Sequence, residues 1–240
     1  MSEPKLGVVA VGNALVDIIA KVSDEFLDAQ CQEHGIEKGT MALIDTKRAE
    51  EIYTMLENPI QASGGSASNT MAGFASFGGK CGFIGKVAQD ELGAVFANDI
   101  RKLGLTYDTQ ALAIGAPTGR CMILVTPDGE RTMNTYLGAS VEMGADDIDE
   151  ALIANAQVTY LEGYLFDKDQ AKQAFIAAAQ AAHRNGHRVA LTLSDPFCVD
   201  RHRSDFLRLV EGHVDILFAN EEEIKSLFMQ DNFDDAKSAI

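Results

Sequence analysis

The chain has 240 residues, of which 36 are acidic and 20 basic, a formal net charge of −16. Charge of that sign repels phosphate backbones and anionic lipid, so nucleic acid and membrane surfaces are poor partners. A hydrophobic content of 46% suits one large domain, or one plus a small appendage.

The first residues lead straight into a strand pattern and lack the charged and apolar regions of a signal peptide. Residues 6–11 form an apolar run closed by Gly12-Asn13, the pattern of a buried strand. Helical spacing over 46–57 (Ala49, Ile52, Tyr53, Leu56) stops at Asn58-Pro59. Gly64-Gly65 precedes a helix of small residues over 66–77, then a strand over 81–87 and a helix over 90–103 with Gly104 at its C-terminal cap. Residues 120–126 and 131–137 are β-rich, joined by Pro127-Asp128-Gly129-Glu130, which predicts a hairpin. Beyond it, helices over 147–156, 168–184, 204–210 and 221–229 alternate with strands over 158–161, 189–193 and 214–218. A new helical pattern begins at Phe233. Such alternation predicts an α/β fold, a mostly parallel sheet with helices on both faces. The β-rich inserts near 15–45 and 116–138 predict a separate small sheet.

No apolar run approaches the ~20 residues that span a bilayer. The four cysteines (Cys31, Cys81, Cys121, Cys198) form no Cys-x-x-Cys pair, which argues for a reducing cytoplasm.

Three segments carry chemistry. Gly12 to Asp17 follows the first strand, and ligands of open α/β sheets sit beyond the carboxyl ends of strands. Asp17 supplies two acceptors, and Asn13 a donor and an acceptor, which match vicinal hydroxyls; a turn or helix cap explains the same residues. Ser63-Gly64-Gly65-Ser66-Ala67-Ser68-Asn69 opens a helix whose glycines and free N–H groups let a ligand approach; a glycine turn with a cap is the alternative. Asn220-Glu221-Glu222-Glu223 reads as a helix cap, or as Asn220 and Glu223 helping to hold a hydrated magnesium ion. A phosphate loop ending at Gly79-Lys80 fails, because Gly73 is misplaced and Cys81 stands where Ser or Thr is needed.

In order and spacing, these blocks resemble the ribokinase/PfkB family of sugar and nucleoside kinases, nearer its adenosine kinase-like branch. The resemblance rests on Gly64-Gly65 through Asn69, Phe77-Gly78-Gly79, Gly85-Lys86-Val87 and Asp90-Glu91-Leu92-Gly93. It implies a core over 1–14, 46–115 and 139–240 and a β lid over 15–45 and 116–138. It implies ATP and Mg2+ as cofactors and a primary hydroxyl of a nucleoside, adenosine first, as acceptor, with a ribose- or fructose-type sugar as alternative. By resemblance Asn13, Asp17, Gly64, Gly65 and Asn69 bind the substrate. Thr192, Asn220 and Glu223 lie at the nucleotide, the last two matching an Asn-x-x-Glu motif linked to magnesium. Thr192 stands where adenosine kinases often have Asn. Arg131 resembles an arginine brought near the transferring phosphate, though an exposed hairpin residue would look the same. Met133, Thr135 and Leu137 alternate along one strand and are expected to face the ligand.

The family's Gly-Ala-Gly-Asp transfer run, with its catalytic Asp, has no match. The expectation is therefore an N-terminal portion of a longer kinase, with a non-catalytic small-molecule-binding protein as the other reading. Family precedent adds a homodimer through the lid.

Overall fold

β1 (Leu6–Val11) carries no polar side chain, so both of its faces must be covered. The computed structural model of the protein describes residues 4–239, so residues 1–3 at the chain start and residue 240 lie outside the described residues. From β1 the chain runs through β2 (Leu15–Lys21), α1 (Asp24–His34), β3 (Met41–Leu43), α2 (Thr46–Met55), β4 (Ile60–Gly64), α3 (Ser66–Ser76), β5 (Cys81–Ile84) and α4 (Glu91–Lys102). It continues through β6 (Gly119–Val125), β7 (Arg131–Tyr136), α5 (Glu150–Ala154), β8 (Ala156–Glu162), α6 (Asp169–Arg184), β9 (Arg188–Thr192), α7 (Pro196–His213), β10 (Ile216–Phe218), α8 (Glu221–Phe228) and α9 (Phe233–Ser238).

Two five-stranded sheets result. The first, in the order β10-β9-β8-β1-β5, is parallel throughout. Its one face is closed by α6, whose alanines (Ala171, Ala174, Ala178, Ala181, Ala182) are fully buried with Phe175 and let the helix lie close to β8 and β9. The fold is thus the expected α/β architecture with a second, small mixed sheet, in the order β3-β7-β6-β2-β4. Here the anticipated hairpin pairs β6 with β7 antiparallel, while β2–β6 and β3–β7 are parallel.

Three elements depart from the sequence expectation. β4 joins the second sheet by pairing with β2, although its stretch reads as core. Its sequence, Ile-Gln-Ala-Ser-Gly, holds one large apolar side chain, and that one is exposed, so no hydrophobic pattern betrays the strand. α1 is polar around most of its circumference, with only Leu27 and Gln30 buried, and Ser23 caps it. α7 starts eight residues before the expected 204, because Asp195 accepts from the Cys198 N–H and Pro196 opens the helix; a break at His202 interrupts its apolar periodicity. Among the described residues no helix is long and apolar enough to cross a membrane.

Candidate active site

Register across the second sheet decides which side chains share its open face. Ala62, Asp17, Cys121, Thr135 and Leu43 lie directly opposite one another on all five strands. The next row on the same face is Ile60, Ile19, Ile123, Met133 and Met41. The other face (Val16, Ile18, Met122, Leu124) packs into a core with Leu27, Ala49, Ile52 and Phe96 from α1, α2 and α4. Asp17 is therefore the one charged residue in two mostly apolar rows, which are buried at their centre (Cys121 is 5% and Ile123 7% exposed) and open at their edges, where Leu43 is 52% and Ile60 67% exposed. Met133 and Thr135 share that face with Asp17, as the alternation along β7 predicts.

Burial pushes the Asp17 carboxyl up to about 6, against a smaller opposing pull from the Arg131 charge. Arg131 itself is exposed at the start of β7. Arg131→Ala should thus move the Asp17 midpoint further up in a carbon-detected NMR titration. An unmoved midpoint would show that no field from Arg131 reaches the site.

Gly64 and Gly65 make room for Asp17 and for the turn into α3. A Cβ on Gly64 would stand 2.2 Å from Asp17 Oδ1, and one on Gly65 would stand 2.3 Å from the Asn13 carbonyl oxygen. Gly65 also has φ +97°, which L side chains rarely adopt. The Ser68 hydroxyl bonds back to the Gly64 and Gly65 carbonyls, 2.9 Å for the latter. Asn69 is exposed on the first turn of α3, its N–H donating to Gly65 O at 2.9 Å.

Asn13, in contrast, is only 2% exposed. Its amide nitrogen donates to Glu162 Oε2 at 3.1 Å, and its Oδ1 accepts from the Ser140 hydroxyl at 2.9 Å. Glu162 ends β8 and joins this cluster, a residue that sequence reasoning missed. The available signal was an acid directly after the predicted strand 158–161, at the carboxyl end where parallel sheets bind ligands.

Thr192 ends β9, half-buried and directly opposite Glu162 on one side and Phe218 on the other. Burial holds the Tyr160 phenol above its usual pKa range. Asn220 and Glu223 stand past the end of β10, two strands away from β8. They form a reciprocal cap of α8: Asn220 Oδ1 accepts from Glu223 N at 2.8 Å, and the Glu223 carboxylate accepts from Asn220 N at 3.1 Å and Nδ2 at 2.8 Å. Both side chains take part in that cap, and no group of three or more His, Cys, Asp or Glu able to hold a metal occurs among the described residues. By themselves these residues do not fit direct coordination of magnesium.

Asp17, the two glycines, Asn13 and Glu162 thus converge where the two sheets meet, with Thr192 alongside. The family described as pfkB family carbohydrate kinase matches residues 40–240. Guanosine-inosine kinase of Escherichia coli (strain K12) is 29% identical over 230 residues, covering 92% of this chain and 52% of that protein. The chain therefore spans about half the length of that curated relative. The crystal structure of adenosine kinase from Sinorhizobium meliloti superposes with TM-score 0.86 at 50% identity, over 97% of this chain and 70% of that one. A probable sugar kinase protein from Rhizobium etli CFN 42 gives 0.88 at 48%, over 98% and 71%. The block order, the two-sheet fold and these matches agree: the chain belongs to the pfkB family of carbohydrate kinases.

Proposed function

We propose that this protein binds a nucleoside, adenosine first, as the acceptor of phosphoryl transfer from ATP to a primary hydroxyl. The observation that carries this reading is the lone Asp17 carboxylate set in apolar rows. Once ionised, it accepts hydrogen bonds from two neighbouring ribose hydroxyls, while the part-exposed Ile19 and Met133 and the exposed Leu43 offer apolar surface to a base. The 50% identity to a protein described as an adenosine kinase supports the same choice. ATP, as its magnesium complex, is assigned to the side of Thr192, Asn220 and Glu223, and the Arg131 guanidinium to the charge on the transferring phosphate. In this reading the first sheet belongs to the core, and the second sheet, β4 included, forms the lid, although the sequence division assigns β4 to the core. Free cysteines at 31, 81, 121 and 198 accord with a cytoplasmic home.

Calorimetric titration tests it. Adenosine should give saturable heat, and ribose or fructose much less. A hexose that binds more tightly than adenosine would replace the nucleoside reading with a sugar kinase.

The sequence contains no Gly-Ala-Gly-Asp run, and that favours a second reading: these 240 residues bind without transferring phosphate. Incubation with adenosine and ATP should yield no AMP, and AMP formation would refute it. Self-association through the exposed Ile60, Met41 and Leu43 of the lid face is proposed separately. Light scattering should show mass rising with concentration, and a monomer mass at every concentration removes it.

A further inference from the structure

Glu162 is 1% exposed, at the end of a core strand, and four donors converge on its two oxygens. Oε2 accepts from Asn13 N at 2.6 Å and Asn13 Nδ2 at 3.1 Å; Oε1 accepts from Ala67 N at 3.0 Å and from the Ser66 hydroxyl. Asn13 passes the connection on, because the Ser140 hydroxyl is shared between Asn13 Oδ1 (2.9 Å) and Leu137 O (2.6 Å). Each of these partners sits where the chain crosses between the sheets. Asn13 lies between β1 and β2, Ser66 and Ala67 follow β4 into α3, and Leu137 and Ser140 follow β7 back to the core. The backbone is shaped around this carboxylate, since a Cβ on Gly12 would stand 2.8 Å from Glu162 Oε2 and 2.7 Å from Ala67 Cβ.

We infer that Glu162 is a positioning residue, one that locks three crossings of the lid to the core so that Asp17 and Gly64 are held as one unit. A carboxylate is required for this, because an amide has one acceptor oxygen and would turn N–H groups against N–H donors. Glu162 reaches the ligand only through Asn13 and the start of α3; its own oxygens are spent.

The test has two arms. Hydrogen exchange on the free protein compares Glu162→Gln with the unsubstituted chain at three amides: Asn13, Ala67 and, as a control remote from the anchor, Val189. Exchange at Asn13 and Ala67 should quicken at least about tenfold while Val189 is unchanged. In the second arm, Ser66→Ala and Ser140→Ala are combined and adenosine affinity is measured. Each should weaken binding by roughly 3–10-fold, and the pair less than the product of the two, because both act through one carboxylate. Unchanged exchange at Asn13 and Ala67 would overturn the inference. So would equal acceleration at Val189, the sign of a merely structural buried charge, or strict multiplicativity of the two alanine effects. The affinity arm rests on the nucleoside reading and the exchange arm does not. If the unsubstituted chain gives no heat with adenosine, that reading falls, and exchange still decides the role of Glu162.

Discussion

Asp17→Asn is expected to abolish adenosine binding and, in the free protein, to raise stability near pH 8 by about 3 kcal/mol. The two effects share one cause. Burial raises the folded-state carboxyl from 3.8 to about 6, so between those values the native chain holds more proton than the unfolded one. Stability of the unsubstituted protein therefore falls as pH rises through about 4 to 6, and levels off above about 7. About two pKa units at 1.36 kcal/mol each set the size of that fall. Asn carries no charge to desolvate, so the slope should vanish in urea unfolding curves taken near pH 5 and near pH 8. Affinity moves the other way. Since the ionised carboxylate is the better acceptor, adenosine binding to the unsubstituted chain should tighten as pH rises past about 6. A variant that binds like its parent, or shows the same pH slope, would remove Asp17 from the site. An ionisable group kept at an unfavourable position in the free state is the signature of a site that trades stability for function.

How far the sequence carried the reading depends on the range of the interaction involved. β1, the Ala-rich α6 and the β6–β7 hairpin were legible because each is set by residues close together in the chain: an unbroken apolar run, helical spacing, and the turn at 127–130. Gly64-Gly65 was legible as a turn for the same reason. β4 was not, because its pairing with β2 joins positions 41 to 49 apart (Ile19 with Ile60, Leu15 with Gly64) and its one large side chain, Ile60, faces out. Glu162 is the extreme case. Its bond to Asn13 spans 149 positions, so nothing local marks it as more than an acid at a strand end. Asn220 and Glu223 show the converse: local spacing identified both the cap and the metal reading, and in the structure their side-chain oxygens go to the cap.

The two neighbouring glycines should fail in different ways when given a methyl group. Gly64→Ala places its Cβ against the Asp17 carboxyl, 2.2 Å from one oxygen and 2.7 Å from the other. That obstacle is the end of a side chain and can swing aside, so the cost in stability should stay within about 1 kcal/mol. Binding should nevertheless drop by roughly a hundredfold or more, because the carboxylate no longer stands where two hydroxyls can reach it. Gly65→Ala meets backbone instead: its Cβ would lie 2.3 Å from the Asn13 carbonyl oxygen, with φ at +97°. Neither can yield without moving the strand crossing, so unfolding free energy should fall by about 2–4 kcal/mol. Urea unfolding and adenosine titration on both variants separate the cases. If Gly64→Ala destabilises as much as Gly65→Ala, the Asp17 side chain is wedged rather than free to swing. If Gly64→Ala instead binds adenosine normally, the carboxylate is not held against Gly64 when ligand is present. The contrast matters because it splits one dipeptide into two jobs, with Gly65 setting the path of the chain and Gly64 setting the position of the charge.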